Sequence, residues 1–590
     1  MRRWISIAIL GSFAAPGLAP SARPAEPPAS RAADEGLARL ADSYFSQVYF
    51  KYSPTAGTEA GLHQYDTQLE DYSRMGVDRQ LQALAVFEKK FAAIQPRSLG
   101  ITAQGDRELL LGNIRSTRLT LSVIRPWEKN PDTYSSGVAA SAFSIMERAF
   151  APPDDRLRAL IARERRMPAV FDDARRNLRN PPRIFTEIAL EQLPGNIAFF
   201  QKDLPAAFVQ ARDPQVKAEF ARANAAVIAA LESYRQWLQS DLLPRSHGDF
   251  RIGAETFHRK LEYDEMVDMP LPELLKIGYA DLRKNQAEFA RIARQIDPGK
   301  PPGQILQELA RDHPAPGQLL QSFRDTFNGL ILFIEQRHIV EIPSQVRPTM
   351  EETPPFLRAT TVASMDTPGP FETVAKEAYF NVTLPGPKDS PQEVEERMEE
   401  FNRGAIISTS VHEAYPGHYI QFLWTPYAPS TVRKLLGASS NAEGWAHYCE
   451  QMMLDEGFGQ PGTGARDARD AKMIRLGQLQ DALLRDARFV VGIRLHTGRF
   501  TFDQAVDFFV REGYQTRESA MTETKRGASD PTYLYYTLGK LEILKLRADL
   551  MRKEGPSFSL EKFHDDFLKQ GYPPIPIVRR ALLGNNSPAL

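Results

Sequence analysis

Apolar residues recur at three- and four-residue intervals along most of this chain, and that spacing is the strongest constraint on its fold. Residues 79–91, 107–123, 218–239 and 270–292 all carry the pattern, which gives each of a series of α-helices one apolar face. Leu271-Pro272-Glu273 sets a proline in the first turn of one helix, where its missing N–H costs nothing. Strand signals are few. Residues 378–384 (AYFNVTL) are rich in β-branched and aromatic side chains and stop at Pro385-Gly386-Pro387; residues 360–363 are a weaker candidate. Residues 342–370 are dense in proline and are expected to be irregular or extended. The expected fold class is therefore mainly α with a small β-sheet. The proline-dense stretch is the best candidate divide between a helical N-terminal half, residues 26–341, and a C-terminal half, residues 342–590, that holds the chemistry. The two halves can still form one continuous unit.

Composition removes several classes of function. At 590 residues, 42% hydrophobic and 25% charged, the chain is globular and can bury a large core without staples. Lys and Arg number 73 against 74 Asp and Glu, so there is no basic excess of the kind that phosphate binding requires, and nucleic acid is not an expected partner. The single cysteine, Cys449, excludes an intrachain disulfide and cysteine-based zinc ribbons. Any metal site must rest on His, Asp and Glu.

The N-terminus reads as an address. Arg2 and Arg3 precede an apolar stretch from Trp4 to Ala15, followed by Pro16, Gly17, Ala19, Pro20, Ser21 and Ala22. This is the layout of a secretory signal peptide, cleaved after Ala22 or Ala25. Residues 1–25 then form the signal and lead-in, and the mature protein is expected to be periplasmic or secreted. The apolar stretch is too short for a membrane span, and no other long one exists. An uncleaved N-terminal anchor is the alternative. No cysteine lies near the cleavage region to accept a lipid.

The most informative segment is His412-Glu413-Ala-Tyr-Pro416-Gly417-His418-Tyr-Ile-Gln421. A His-Glu pair followed by a second His is the outline of a zinc hydrolase, in which two neutral imidazoles bind the metal and the Glu takes a proton from water. In the usual form the two His stand four residues apart on one helix face. Here they stand six apart, which on an unbroken helix turns the rings roughly 120° away from each other. Pro416 lacks an N–H and clashes with the carbonyl four residues back, so the helix must break or bulge there. Gly417 tolerates the backbone angles this needs. The same spacing also fits a proline-kinked helix with two incidental histidines.

A second segment, Asn441-Ala-Glu443-Gly444-Trp-Ala-His447-Tyr-Cys-Glu450, can supply the carboxylate ligand that two-His zinc enzymes take from a later helix. Glu443, His447 and Glu450 fall at i, i+4 and i+7, on one helix face. Glu443 is the favoured third ligand, with His447 and Glu450 behind the ligands, holding them in place. His447 as third ligand and a plain surface Glu/His stripe remain open.

The two motifs together resemble a bacterial family catalogued as domain of unknown function 885, whose members look like gluzincin zinc peptidases with H-E-x-x-P-G-H followed by E-G-W-A. Further similar pieces are residues 250–253 (FRIG), 379–382 (YFNV), Asp530-Pro531 through Gly539-Lys540, Phe563-His564-Asp565 and Gly571-Tyr-Pro-Pro574. The resemblance implies that His412, His418 and Glu443 bind Zn(2+), that Glu413 is the general base, and that the fold is a large helical peptidase with its small sheet near the active-site cleft. A deep cleft of that kind favours oligopeptide substrates. The chain departs from the pattern at Val491–His496, where an Asp-Thr-Gly-Ile-His-like run is expected, and at Arg526-Gly527, where Arg-Tyr is usual.

Peptide hydrolysis develops an oxyanion, which needs donors beyond the metal. The tyrosine-dense segment from Ser529 to Lys540 opens a helix, and helical spacing would place Tyr533, Tyr536 and Lys540 on one face. Peptidases of the kind the chain resembles use Tyr or His from such a segment. Tyr533 or Tyr536 is thus the expected donor, with His496 as a second candidate. Arg494 and Arg526 could anchor a substrate carboxylate; Glu523 is less specified. The expected function is an exported zinc metallopeptidase. The alternatives are a non-catalytic periplasmic binding or scaffold protein with a structural metal site, and hydrolysis of a non-peptide amide or ester at the same centre.

Overall fold

The expected helices form, and the runs of apolar residues set their lengths. Residues 79–91 lie inside a helix spanning Arg74–Ala93, and residues 218–239 within and just past Pro214–Trp237. Residues 107–123 divide between Ile101–Leu119 and a π-turn at Thr120–Ile124. The computed structural model describes residues 28–354, 358, 361–386 and 389–590. The signal-peptide reading falls on residues outside that set. Among the described residues no helix is long and apolar enough to cross a membrane.

Eight elements position the site, together with two flanking strands, and a further helix, Asp132–Met146, packs among the N-terminal helices. They are α1 (Asp132–Met146), α2 (Leu271–Ile296), β1 (Thr349–Glu352), β2 (Ala363–Asp366), β3 (Tyr379–Val382), α3 (Arg403–Glu413), α4 (His418–Trp424), α5 (Ser439–Asp455), α6 (Ala468–His496), α7 (Arg517–Ser529) and α8 (Tyr535–Glu554). The molecule is mainly helical with one small sheet, as the periodicity implies. The expected strand contracts to β3 because the prolines stop it. The proline-dense stretch is not wholly irregular, since β1 and β2 fall within it. β3 runs parallel to β1, pairing Tyr379 with Thr349, and antiparallel to β2, pairing Val382 with Ala363 and Tyr379 with Asp366. The order β1-β3-β2 leaves β2 at an edge, packed against α3 and α4.

The sheet is anchored by aromatic packing. Phe380 is fully buried and meets Phe323 and Phe327, each with ring centroids 5.0 Å away. Phe327 also meets Tyr415 edge-on at 5.3 Å, so the segment between the two histidines is seated in the same core. Burying side chains of this size contributes roughly 2–3 kcal/mol each. Contacts cross residue 342 at several places. Helix α2 lies along α6, Lys540 pairs with Asp281 at 3.0 Å, and buried Arg433 pairs with Asp106 at 2.8 Å.

Candidate metal centre

Helix α3 ends at Glu413 and α4 begins at His418. The six-residue spacing is therefore absorbed by a complete break, and the 120° divergence of an unbroken helix does not arise. The peptide bond before Pro416 is cis. Gly417 donates its N–H to Val411 O at 3.0 Å, and it comes so close that a Cβ here would overlap the His412 carbonyl oxygen. Trp445 fixes the break from the opposite side, donating Nε1–H to Pro416 O at 2.9 Å.

Helix α5 brings the carboxylate. Gly444 of α5 faces Gly539 of α8 so closely that a Cβ on either would run into the other backbone. The C-terminal segment braces α5 further: Asn441 donates to Pro573 O at 2.7 Å, Ala438 N to Tyr572 O at 2.8 Å, and His564 Nε2 lies 2.9 Å from Tyr448 Oη. These contacts give the outlying sequence pieces around Phe563 and Gly571 a structural role.

The result is a tight cluster. His412 Nε2 and His418 Nε2 each lie 3.3 Å from Glu443 Oε2, with the imidazole rings 4.9 Å apart and nearly perpendicular. One nitrogen of each ring and a Glu413 oxygen fall within 4.8 Å of one another. His412 Nδ1 lies 2.7 Å from Glu450 Oε1, and Nε2 is the nitrogen turned toward Glu443. Glu443 Oε2 accepts no hydrogen bond. Basic atoms gathered in this way need a positive charge among them. Atoms bound to one tetrahedral zinc at ~2.0–2.1 Å stand about 3.3 Å apart, so the donor set and its spacing fit such an ion. Burial lowers the proton affinity of His412, but the Glu443 and Glu450 carboxylates outweigh it and push the group up to about 9. Burial also acts against ionised Glu443, yet His418 and His412 hold it well below the usual carboxylate range. The side chain of Glu443 stays 24% exposed, although the Oε2 that faces the histidines is itself buried.

The family model for "Bacterial protein of unknown function (DUF885)" matches residues 54–582. The chain belongs to the DUF885 family. Its fold is that of a putative lipoprotein of unknown function from Shewanella oneidensis, with 26% identity over 93% of this chain and 99% of the other and a TM-score of 0.75. A putative lipoprotein from Colwellia psychrerythraea shares the fold at 18% identity, over 94% and 99% of the two chains, with a TM-score of 0.77. Comparison with curated proteins gave no match.

Around the cluster this DUF885 protein sets some of the expected residues and not others. Tyr536 is present: its ring lies 6.2 Å from that of His412, and its hydroxyl accepts a hydrogen bond from Arg526 Nη2 at 2.8 Å. Glu450 contacts His412 directly. His447 does not reach Glu443; its Nδ1 lies 3.0 Å from Glu450 Oε2, so it steadies Glu450 instead. It is fully buried, and burial followed by Lys540 lowers it to about 3.

Three expected site residues are elsewhere. Tyr533 precedes α8 rather than sharing its face, and packs fully buried against Gly492 and Gly527. His496 donates Nε2–H to Gly527 O at 2.7 Å and sits between Phe250 and Phe257; burial depresses it to about 4. Arg494 donates to Tyr279 Oη at 2.8 Å and stacks on Tyr279 and Phe500. Lys540, expected on the face of Tyr536, is taken up by Asp281.

Helix α6 supplies the residues that motif reading missed. Arg485 pairs with Glu450 Oε1 at 2.9 Å. Arg488 grips Glu523 through two hydrogen bonds of 2.6 and 2.8 Å, and its guanidinium lies 4.9 Å from the Tyr536 ring. Asp481, Arg485 and Arg488 repeat the i, i+4, i+7 spacing of Glu443, His447 and Glu450. That repeat places the three on one helix face, which is as much as the sequence says of them. Arg494 lies nine residues beyond Arg485, which on a helix is the opposite face and about 13 Å along the axis.

Proposed function

We propose that the chain is an exported zinc-dependent hydrolase that cuts peptide bonds. The observation that carries this reading is the meeting of His412 Nε2 and His418 Nε2 at one oxygen of Glu443, 3.3 Å from each, with Glu413 beside them. His412, His418 and Glu443 would hold the zinc, which when bound supplies Lewis acidity toward water and a carbonyl oxygen. Glu413 takes a proton from the attacking water and passes it to the leaving amine. Burial raises its carboxyl above the usual range, which suits a group that must both accept and return a proton. Tyr536 accepts from Arg526, and so its own hydrogen is free to donate to the developing oxyanion. Burial, then Glu443, keep that phenol protonated by pushing it up to about 12.

Several observations favour an oligopeptide substrate and an exported enzyme. The edge strand β2 lies beside α3 and α4 and offers backbone groups to an extended chain. Export is supported by the sequence from Met1 to Ala22 and by two similar structures being described as putative lipoproteins. The test is metal analysis of the purified mature protein, with wild type and Glu413→Gln compared on a mixed peptide library. The expected result is about one zinc in each and cleavage by wild type alone. Equal cleavage by both, or a zinc-loaded wild type that cuts nothing, would overturn the reading.

A further inference from the structure

A polar cavity of about 280 Å³ lies at the Asp366 end of β2. Its walls come from Pro54–Glu59, from α1 and the residues after it, and from Met365 and Asp366 at the end of the strand. The cavity holds four carboxylates, Glu59, Glu147, Asp366 and Glu372, against one guanidinium, Arg148.

Glu372 is satisfied by the backbone N–H groups of Val374 and Ala375 and by His63 Nε2 at 2.9 Å. Arg148 bridges Glu147 Oε2, at 2.6 Å, and Asp366. Glu147 Oε1 is left with no partner although its side chain is only 7% exposed. Glu59, an exposed side chain at the rim, takes part in no hydrogen bond or ion pair among the described residues. Burial, and then the neighbouring Asp366 carboxylate, push Glu147 up to about 10. Phe143, Phe150 and Met365 line the remainder, with His63 stacked on Phe150 at 3.9 Å. The space greatly exceeds the ~30 Å³ share of one water and suits a side chain or a chain end.

We propose that this cavity binds a cationic nitrogen group, ammonium or guanidinium, carried by a ligand lying along β2. The unpartnered Glu147 oxygen and the Glu59 carboxylate are its acceptors, and the aromatic walls cover the adjoining methylenes. That the ligand is a substrate rests on the hydrolase reading above; the preference for a cation does not.

The test is calorimetric titration of the intact protein with three small amides. Nα-acetyl-lysinamide carries only a side-chain cation, norleucinamide only an α-ammonium, and Nα-acetyl-norleucinamide neither. At least one cationic probe is expected to bind at least tenfold more tightly than the neutral one, and the tighter of the two identifies the source of the charge. Glu59→Gln and Glu147→Gln, each checked for an unchanged melting temperature, are expected to weaken that binding at least tenfold. Equal binding of all three probes, no binding of either cation, or wild-type binding by both variants would overturn the proposal. No turnover is read, so failure of the hydrolase reading leaves this result distinct.

Discussion

His412 Nδ1 lies 2.7 Å from Glu450 Oε1, and the same carboxylate also contacts His447 and Arg485. Glu450 thus fixes which imidazole nitrogen is free to face Glu443 and in which direction it points. Glu450→Gln replaces the charge with an amide that can offer His412 a donor as easily as an acceptor. Zinc affinity, measured by competition with a chromogenic chelator, is expected to fall by about 10- to 100-fold. An unchanged affinity would show that Glu450 does not orient the ligand.

Tyr536 and Tyr533 make a matched pair, because only Tyr536 lies at the cluster. Tyr536→Phe removes one donor to the oxyanion and is expected to lower kcat by about 10²- to 10³-fold with little change in KM. Tyr533→Phe removes a buried hydroxyl that has no hydrogen-bond partner, so kcat is expected to stay within about twofold and stability to hold or rise. Steady-state kinetics on any cleaved peptide check both, and the reverse ranking would reassign the donor.

The helical class, the helix break and the cluster-forming residues were legible because each depends on local rules. Pro416 stops a helix whatever surrounds it, and the spacing of Glu443, His447 and Glu450 fixes a shared face. Arg485 and Arg488 were harder to see, since their meaning depends on α6 crossing behind α3 and α5, a long-range contact that the sequence does not announce. His496 and Tyr533 were misleading for the same reason. They sit close in sequence to plausible site segments, but tertiary packing turns them into the core beneath α7.

The break between the histidines has its own test. Gly417 lies against the His412 carbonyl with no room for a methyl group. Gly417→Ala is therefore expected to shift α4 relative to α3, lowering stability by at least about 2 kcal/mol and weakening zinc binding together with it. Urea unfolding and metal analysis read the two effects. A variant as stable and as metal-rich as wild type would mean that the close approach does not set the site.

Glu164, at the end of the helix Pro153–Glu164, offers a separate pH test. It is fully buried, neither carboxylate oxygen has a hydrogen-bond partner among the described residues, and burial pushes the group up to about 9. The folded state therefore keeps a proton that the unfolded chain, with its value of 4.5, releases. Any stability tied to that proton is present below pH 4.5 and is lost as pH rises toward 9, at up to about 1.4 kcal/mol per pH unit. Glu164→Gln has no proton to lose. Urea unfolding of both proteins at pH 5, 6.5 and 8 should show the variant gaining on wild type at each step. Parallel pH profiles would mean that Glu164 is ionised in the fold and has found a partner.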